Sequence, residues 1–434
     1  MKRAVVLGGG VAGITAAFRL LDRDYEVELI DQRRWLGGRA FSMEDERMGG
    51  LRDNGPHVML GCYDAMRWML RRIGSEDDFL QCRTLQLAYV ERGGRRYQLR
   101  LSRLPTPLAM PLALVGLRGM GVGGKLRTLR GFLSALRRAP RGWSLEEWLV
   151  DRMQQGAPRQ LLWDPMCRAI MNAEAHQVSA EQFLGCLREA FTGWASRAAF
   201  WFPKRPWLQV IGEPAVRQLA AEGAQVTLGT KVAGLARDAN SGKVTAVQLG
   251  DDSGRELGAE DIVVSAMPWH ALAGLLPDDL QQPGMQLEGS PNLAVYFDAG
   301  EQNPLPDQEP LTYMVDGHPF HYVYRTPGDR PGRFALIADG CVTLKDRTAD
   351  EIERLGREQL NAYYGQISLP EETLVRVSKE PQATFVATPQ VETARLCPGP
   401  LPGAPNLLIC GEWTDSGLPS TMEGAARSAR LAVR

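Results

Sequence analysis

The sequence predicts an α/β fold in which one parallel-sheet domain is assembled from separate stretches of the chain. A strand, a glycine-rich turn and a helix open the sequence, and a further strand and helix close it. The length of 434 residues allows about two to four globular units at roughly 100–200 residues each. We therefore predict a discontinuous, Rossmann-like domain formed by residues 1–82, 205–270 and 396–434, with two insertions.

The first segment has the pattern of a dinucleotide site. The apolar run at residues 4–7 is followed by G-x-G-x-x-G, whose glycines are Gly8, Gly10 and Gly13. In this pattern the first glycine permits the tight turn, the second lets the backbone approach a pyrophosphate, and the third lets helix and strand pack closely. Asp31 ends the next predicted strand, where a carboxylate accepts the hydroxyl protons of an adenosine ribose.

The residues after Asp31 indicate which dinucleotide binds. Arg33, Gly38 and Arg39 stand at the spacing of E-x-R-x₃-GGR, with Asp31 in place of the commoner Glu. This pattern resembles that of the flavoprotein superfamily of amine oxidases and isoprenoid desaturases. The resemblance implies FAD as the cofactor and Arg39 as a diphosphate ligand, for which the fixed fork of a guanidinium is suited.

The end of the chain resembles the closing FAD segment of the same superfamily. A predicted strand at residues 406–410 leads into Gly411 and Glu412, expected near the ribitol. Ser420 and Glu423 have capping-box spacing, which predicts the start of a helix. The resemblance implies that the N-terminal residues of this helix, Thr421 and Met422, face the flavin. The resemblance also implies that the backbone of Val232 contacts the adenine.

Three stretches narrow the resemblance to the squalene-associated FAD enzymes, the hydroxysqualene dehydroxylases. They are the DNGPH sequence at 53–57 with GCY at 61–63, the WDPMC sequence at 163–167, and the GEWTDSGLPSTMEGA sequence at 411–425. Pro56 replaces the usual Gln, and residues 171–174 replace an Asn-Thr pair. The resemblance places Gly55 beside the flavin.

The resemblance implies reduction of 12-hydroxysqualene to squalene, with hydride delivered by reduced FAD. An acid must help the hydroxide to leave, and His57 and Asp164 are the candidates; each has an alternative reading, as a hydrogen-bonding histidine and as a turn or N-cap aspartate. Thr421 stands where amine oxidases place an aromatic cage residue, which favours an apolar isoprenoid over an amine. An electron donor for the FAD is a further expected partner, which the sequence does not identify.

Two other functions remain open at this point. A carotenoid-type desaturase would use the flavin in the opposite direction, removing hydride from an unactivated chain. A non-catalytic isoprenoid carrier of the same fold would lack flavin, whereas the intact glycine motifs and Asp31 predict a yellow protein.

The predicted insertions differ in character. Residues 271–395 contain alternating β-rich runs and form the predicted substrate domain. Residues 83–204 are predicted to be mainly helical and to form a lid that faces a membrane. Its residues 91–141 hold twelve Lys or Arg and one acid, so this segment carries +11 within a chain of formal net charge −1.

The basic segment combines charge with apolar residues. Residues 104–117 are uncharged and contain three prolines, which predicts an apolar loop, and residues 125–138 place four leucines at helical spacing. This combination is typical of a peripheral anchor on an anionic membrane. The alternative is a solvated basic face over an ordinary core helix; nucleic acid is not expected, because no aromatic residues interleave the charges.

The remaining composition predicts a cytoplasmic protein on the inner face of the cytoplasmic membrane. Seven scattered cysteines without a Cys-x-x-Cys pair predict reduced thiols. The five histidines form no helical His-x-x-x-His pair, and no metal site is expected. The N-terminal apolar run is too short for a secretory signal, and no apolar stretch has the length of a membrane span.

Overall fold

The computed structural model describes residues 2–300, 309–325, 332–365 and 369–434. In chain order, the strands are β1 (Arg3–Leu7), β2 (Glu26–Asp31), β3 (Ser42–Asp45), β4 (Gly50–Asp53), β5 (Met59–Leu60), β6 (Phe79–Gln81), β7 (Gln86–Val90), β8 (Arg96–Arg100), β9 (Phe200–Pro203), β10 (Gln225–Leu228), β11 (Val232–Arg237), β12 (Val244–Leu249), β13 (Gly254–Glu256), β14 (Ile262–Ser265), β15 (Gly289–Asp298), β16 (Leu311–Met314), β17 (Tyr322–Arg325), β18 (Arg333–Asp339), β19 (Leu374–Phe385), β20 (Gly399–Leu401) and β21 (Ala404–Ile409). The α-helices are α1 (Val11–Leu21), α2 (Asp64–Arg72), α3 (Thr106–Gly116), α4 (Val122–Ala135), α5 (Leu145–Asp151), α6 (Asp164–Met171), α7 (Ala180–Phe191), α8 (Glu213–Ala221), α9 (Trp269–Ala273), α10 (Ala349–Tyr364), α11 (Pro389–Ala394) and α12 (Met422–Ala432).

A six-stranded sheet carries the glycine motifs. Its order is β10-β2-β1-β14-β21-β20, and all neighbouring pairs are parallel except β20–β21. The four residues at 4–7 are fully buried, as expected for a strand covered on both faces. The ends of β1, β2, β14 and β21 therefore meet at one edge, where ligands bind in such sheets. The prediction of an α/β fold is confirmed.

A second sheet has seven strands in the order β19-β15-β18-β17-β16-β7-β8. Helix α10 covers one face through an apolar cluster that includes Phe297, Leu336 and Tyr363. The other face carries Tyr313, Tyr322 and Ile337 and packs toward the helices of the first insertion. This sheet forms a wall opposite the edge of the parallel sheet.

The first insertion is less helical at its start than predicted. Strands β7 and β8 form a hairpin, and β7 joins the seven-stranded sheet by parallel pairing with β16, for example Tyr89 with Tyr313. Residues 86–100 thus belong structurally with the β-rich part of the chain. The pairing partner lies more than two hundred residues away, so no local pattern indicates it.

The proline-containing stretch predicted as a loop is helical. Helix α3 accommodates Pro107 in its first turn, where the missing N–H has no helical partner in any case, and tolerates Pro111 inside. One face of α3, including Met110 and Leu114, is buried. This tertiary packing offsets the hydrogen bond that Pro111 removes.

Gly13 lies at a position where an added side chain would clash severely with the backbone. A Cβ atom there would lie 1.8 Å from the carbonyl oxygen of Gly8, between α1 and the end of β1. We expect Gly13→Ala to lower the free energy of unfolding by about 3 kcal/mol, the upper range for overpacking, in urea titrations. Gly123→Ala is the control, because a Cβ at Gly123 meets nothing within 4 Å and should change stability by less than about 1 kcal/mol. Equal losses in the two variants would contradict this account.

Candidate active site

One cavity of about 860 Å³ connects the carboxyl edge of the parallel sheet with the wall of the seven-stranded sheet. Eleven of the residues predicted to contact FAD line it: Gly8, Gly10, Asp31, Arg33, Gly38, Arg39, Gly55, Val232, Glu412, Thr421 and Met422. The long-range fold therefore brings both termini and the middle of the chain to one site.

The other two residues predicted to contact FAD, Gly13 and Gly411, are not part of the cavity lining but pack behind it. Gly13 allows α1 to approach β1, as described above. Gly411 has a φ of +134°, and a Cβ there would lie 2.9 Å from the ring of Trp413. The Trp413 indole donates a hydrogen bond to the Met267 carbonyl at 3.0 Å, which links this turn to the end of β14.

Two glycine loops meet at the start of α1. The Gly37 amide donates to the Gly9 carbonyl at 2.8 Å, and a Cβ at Gly38 would lie 2.9 Å from the Cα of Gly10. No side chain caps α1, and its first turn holds no acid. The arrangement leaves a backbone surface with a positive helix end, which suits a diphosphate.

The Asp31 carboxylate is fixed by two backbone groups. Oδ2 accepts the Gly9 N–H at 2.6 Å, and Oδ1 accepts the Arg33 N–H at 2.7 Å. A carboxylate has about four acceptor sites, so two remain for ribose hydroxyls. The Arg33 guanidinium donates to the Gly38 carbonyl at 2.6 Å and lies over the ring of Phe41, which holds the second glycine loop in place.

Arg39 and Glu412 join the two ends of the chain by an ion pair at the cavity wall. Arg395, which the sequence did not indicate, holds the loop after Glu412 in place. Its guanidinium donates to the carbonyl oxygens of Glu412, Trp413, Thr414 and Leu418. Burial lowers the pKa of Arg395 to about 10, so the side chain stays charged at neutral pH. A lone arginine in a sequence has no pattern that would reveal this role.

The helix α12 begins one residue later than the predicted capping box. The Thr421 side chain, not that of Ser420, accepts the first free amide, from Gly424 at 2.9 Å. Glu423 instead accepts the amides of Ala65 and Met66 at the start of α2. The capping prediction is wrong because the acid is used between helices, but the helix N-terminus does face the cavity.

The two acid candidates lie in different surroundings. His57 lines the cavity, where Nε2 lies 3.3 Å from the Arg39 carbonyl, and burial lowers the pKa of His57 to about 4. A neutral imidazole at pH 7 is a poor proton donor. Asp164 is not among the described residues that line the cavity; its two oxygens accept from Arg159 Nε at 3.0 and 3.1 Å.

The cavity is apolar at the end away from the glycine loops. Its aliphatic and aromatic lining comes from α6, α7, β9, the seven-stranded sheet and the residue before β7: Leu85, Leu87, Met166, Ile170, Leu187, Phe191, Phe200, Leu311 and Ile337. A carboxyl group stands within this wall, at Asp339, with Asn172 and Asn292 beside it. Sequence reasoning missed these three residues as a group, because they come from three distant segments.

The comparisons define the class of protein. The chain matches the family model of the flavin containing amine oxidoreductases over residues 11–434 and belongs to that family. It is 29% identical to the hydroxysqualene dehydroxylase of Rhodopseudomonas palustris, covering 100% of this chain and 97% of that protein. The identity to the hydroxysqualene dehydroxylase of Sinorhizobium fredii is 28% with the same coverage. The zeta-carotene desaturase of Solanum lycopersicum is 28% identical over 42% of this chain.

Solved structures support the same fold. An oxidoreductase from Methanosarcina mazei superposes with a TM-score of 0.75 at 14% identity, covering 99% of each chain. The cyclohexylamine oxidase of Brevibacterium oxydans has a TM-score of 0.67 at 16% identity, covering 100% of this chain and 98% of that one.

The protein is an FAD-dependent oxidoreductase, and the cavity suits that cofactor. The glycine loops offer backbone amides without side chains, Asp31 has free acceptor sites, and the N-termini of α1 and α12 both reach the cavity. Because the chain belongs to a family of flavin-containing oxidoreductases, a flavin-free isoprenoid carrier is excluded as its function.

The role of Asp31 can be separated from that of its neighbour Glu28 on the same strand. Asp31→Asn should weaken FAD binding by about 10–100-fold, because hydrogen bonds to a charged group contribute about 1.5–3 kcal/mol. Glu28→Gln is the matched control, because Glu28 bonds Arg255 and Thr227 and is not among the described residues that line the cavity. Flavin fluorescence titration measures both; unchanged affinity in Asp31→Asn would contradict the assignment.

Proposed function

We propose that the protein is a hydroxysqualene dehydroxylase, which reduces 12-hydroxysqualene to squalene. The observation that carries this proposal is the division of the cavity, in which glycine loops form one end and an apolar wall the other. A flexible triterpene can be held by the aliphatic and aromatic side chains of this wall without polar partners. Full-length similarity to dehydroxylases of two bacteria supports the same substrate.

Different residues of the chain have different roles in this reaction. When bound, FAD supplies the hydride chemistry. The glycine loops, Asp31 and Arg39 hold the dinucleotide, and the apolar wall orients the isoprenoid and excludes water from the reacting carbon. A neutral His57, whose Nε2 lies 3.3 Å from the Arg39 carbonyl, would supply a polar contact rather than a proton. A separate electron donor would be needed after each turnover.

The direction of flavin use distinguishes this function from a carotenoid-type desaturase. Hydroxysqualene with a reductant should give squalene, and phytoene with an electron acceptor should give no desaturated product, because only the first substrate carries a leaving group. Mass spectrometry of the two incubations measures both. Desaturation of phytoene without conversion of hydroxysqualene would favour the desaturase, which the partial similarity to a zeta-carotene desaturase supports less well.

We also propose that the protein binds an anionic membrane surface through α3 and α4, on the inner face of the cytoplasmic membrane. These helices expose a set of large aliphatic side chains, here called the α3–α4 apolar face: Leu108, Leu112, Val115, Val122, Leu126 and Leu133. Val115 and Val122 are 74% and 75% exposed. No helix in the described part of the chain is both long and apolar enough to cross a bilayer.

Two leucines of α4 support the membrane reading of the basic segment. An ordinary core helix would bury them, but Leu126 and Leu133 are 64% and 57% exposed. The side of α4 that is buried instead carries Phe132, whose ring contacts Phe191 of the cavity wall at 5.5 Å between centroids. The exposed face thus lies on the opposite side of α4 from Phe132, which packs against the cavity wall.

The basic residues around this face provide attraction to anionic lipid. Arg118, Arg127 and Arg130 are exposed, and the Lys125 amine donates to the Val115 carbonyl at the end of α3. Residues 92–141 contain no acid that would neutralise them. A membrane near this face would give an apolar substrate a short path from bilayer to cavity.

Neutralising these charges should weaken membrane binding. The triple variant Lys125→Gln, Arg127→Gln, Arg130→Gln should lose about 3 kcal/mol, about 100-fold in partitioning to anionic liposomes, at about 1 kcal/mol per basic residue. Added salt should weaken the wild type in the same assay. The control changes Lys345, Arg347 and Arg354 to Gln; these three exposed side chains lie at or near α10. If the wild type does not bind anionic liposomes, or binds them independently of salt, the basic segment is only a solvated face over an ordinary core helix.

A further inference from the structure

Asp339 is a carboxylic acid in the cavity wall, and one of its two oxygens is buried without a hydrogen-bond partner among the described residues. It ends β18, lines the cavity, and its side chain is 9% exposed. Oδ1 accepts a hydrogen bond from Asn292 Nδ2 at 2.7 Å, while Oδ2 has no hydrogen-bond partner among the described residues. A buried carboxylate without a second donor is costly, whereas the protonated acid can give a hydrogen bond to a substrate.

The groups that face Asp339 do not hold it as an anion. They are Arg168, Glu174, His321, Tyr322 and Cys341. Arg168 is engaged by Glu174, with nitrogen–oxygen distances of 2.8 and 3.0 Å. His321 Nδ1 accepts the backbone N–H of Asp339 at 3.2 Å and therefore carries no proton itself. Burial lowers the pKa of His321 well below its usual value, so this ring is neutral.

Burial is also the main influence on the acid. It raises the pKa of Asp339 to about 7, against the smaller effects of the Asn292 hydrogen bond and the Arg168 charge. Because the folded-state pKa lies above the unfolded one, the protonated form is favoured by folding, and this contribution to stability is lost as pH rises through about 7. At neutral pH a large fraction of the protein holds the proton.

The seven-stranded sheet connects Asp339 with Asn54, which lies in the segment expected at the flavin. The Ser378 hydroxyl on β19 donates to the Asn54 carbonyl at 2.6 Å. Ser378 pairs with Ala294 on β15, and Asn292 on the same strand pairs with Asp339. Three adjacent strands, about 4.8 Å apart, thus lead from Asn54 to Asp339 along the cavity.

Resting on the proposed function, we propose that Asp339 is the general acid that protonates the departing hydroxyl group of hydroxysqualene. The allylic C–O bond breaks, the Asp339 proton joins the hydroxide to form water, and one hydride from reduced FAD forms the new C–H bond. The substrate carbon is reduced by two electrons, FAD is left oxidised, and the Asp339 carboxylate regains a proton from solvent.

Asn172 positions this acid through Asn292. The Asn172 Oδ1 accepts from Asn292 Nδ2 at 3.1 Å and from the Gly340 amide at 2.9 Å. Its own Nδ2 donates to the Ser290 and Pro291 carbonyls at 3.2 Å. These bonds orient the Asn292 amide so that its N–H groups, not its oxygen, face Asp339.

The test uses a leaving group that needs no proton. Asp339→Asn should lower kcat with hydroxysqualene by about 100- to 10,000-fold, the range of general acid catalysis. The acetate ester of hydroxysqualene loses a stable carboxylate, so the variant should lose less than about tenfold with it. FAD affinity should not change. Asp45→Asn is the control, because Asp45 bonds Arg52 and Arg376 and is not among the described residues that line the cavity.

Two further measurements report the protonation state of Asp339: the pH dependence of kcat and the infrared spectrum. Wild-type kcat should fall as pH rises through about 7, because the acid form is lost, and Asp339→Asn should lack this limb. Infrared difference spectra of the substrate-free wild type against Asp339→Asn should contain a protonated-carboxyl band that disappears over the same pH range. The subtraction removes the band of Asp53, whose pKa burial raises to about 6.

The outcomes separate the two claims. No squalene from the wild type would overturn the dehydroxylase function and the acid role together. Squalene from the wild type, with equal loss of both substrates or no loss in Asp339→Asn, would overturn the acid role alone. Absence of the protonated-carboxyl band at neutral pH would also overturn it.

Discussion

The close contact of backbones at the end of β1 is the constraint on which the site depends. Gly8 and Gly13 let α1 start directly against the strand, and Gly38 packs its backbone against Gly10. Any side chain at these points would separate the helix from the sheet or the second loop from the first. Because the contact is made by backbone alone, the positive end of α1 stays open to the diphosphate.

From this point the fold builds one cavity with two environments. The glycine-loop end is rich in amides and fixed charges, with Asp31 held by backbone and Arg39 by Glu412. The opposite end is formed by the seven-stranded sheet and by α6 and α7, and is largely apolar. Low polarity there excludes water from a reactive carbon, and the same burial lets Asp339 keep a proton.

Much of the dinucleotide site could be predicted because its signals are local. The glycines and Asp31 stand within one strand–turn–helix–strand unit, where spacing alone indicates their contacts. The cavity wall could not be predicted, because Asp339, Asn292 and Asn172 meet only through strand pairing and a contact between insertions.

Errors elsewhere have the same origin. Residues 86–100 form strands because of a partner beyond residue 310, and Thr421 rather than Ser420 caps α12 because Glu423 bonds another helix. The periodicity of residues 125–138 predicts a helix, but not that Leu126 and Leu133 face outward while Leu129 packs against the core, because packing decides which face is buried.

The most direct measurement of the central claim is an anaerobic single turnover in D₂O. Protein reduced in D₂O carries exchangeable deuterium at the hydride-donating position of FAD, and hydroxysqualene is then added in the absence of any other reductant. The account predicts that the flavin absorbance returns at the rate at which squalene forms, and that each squalene contains one deuterium at the former carbinol carbon. A flavin that remains reduced in the presence of hydroxysqualene, or squalene without deuterium, would contradict it.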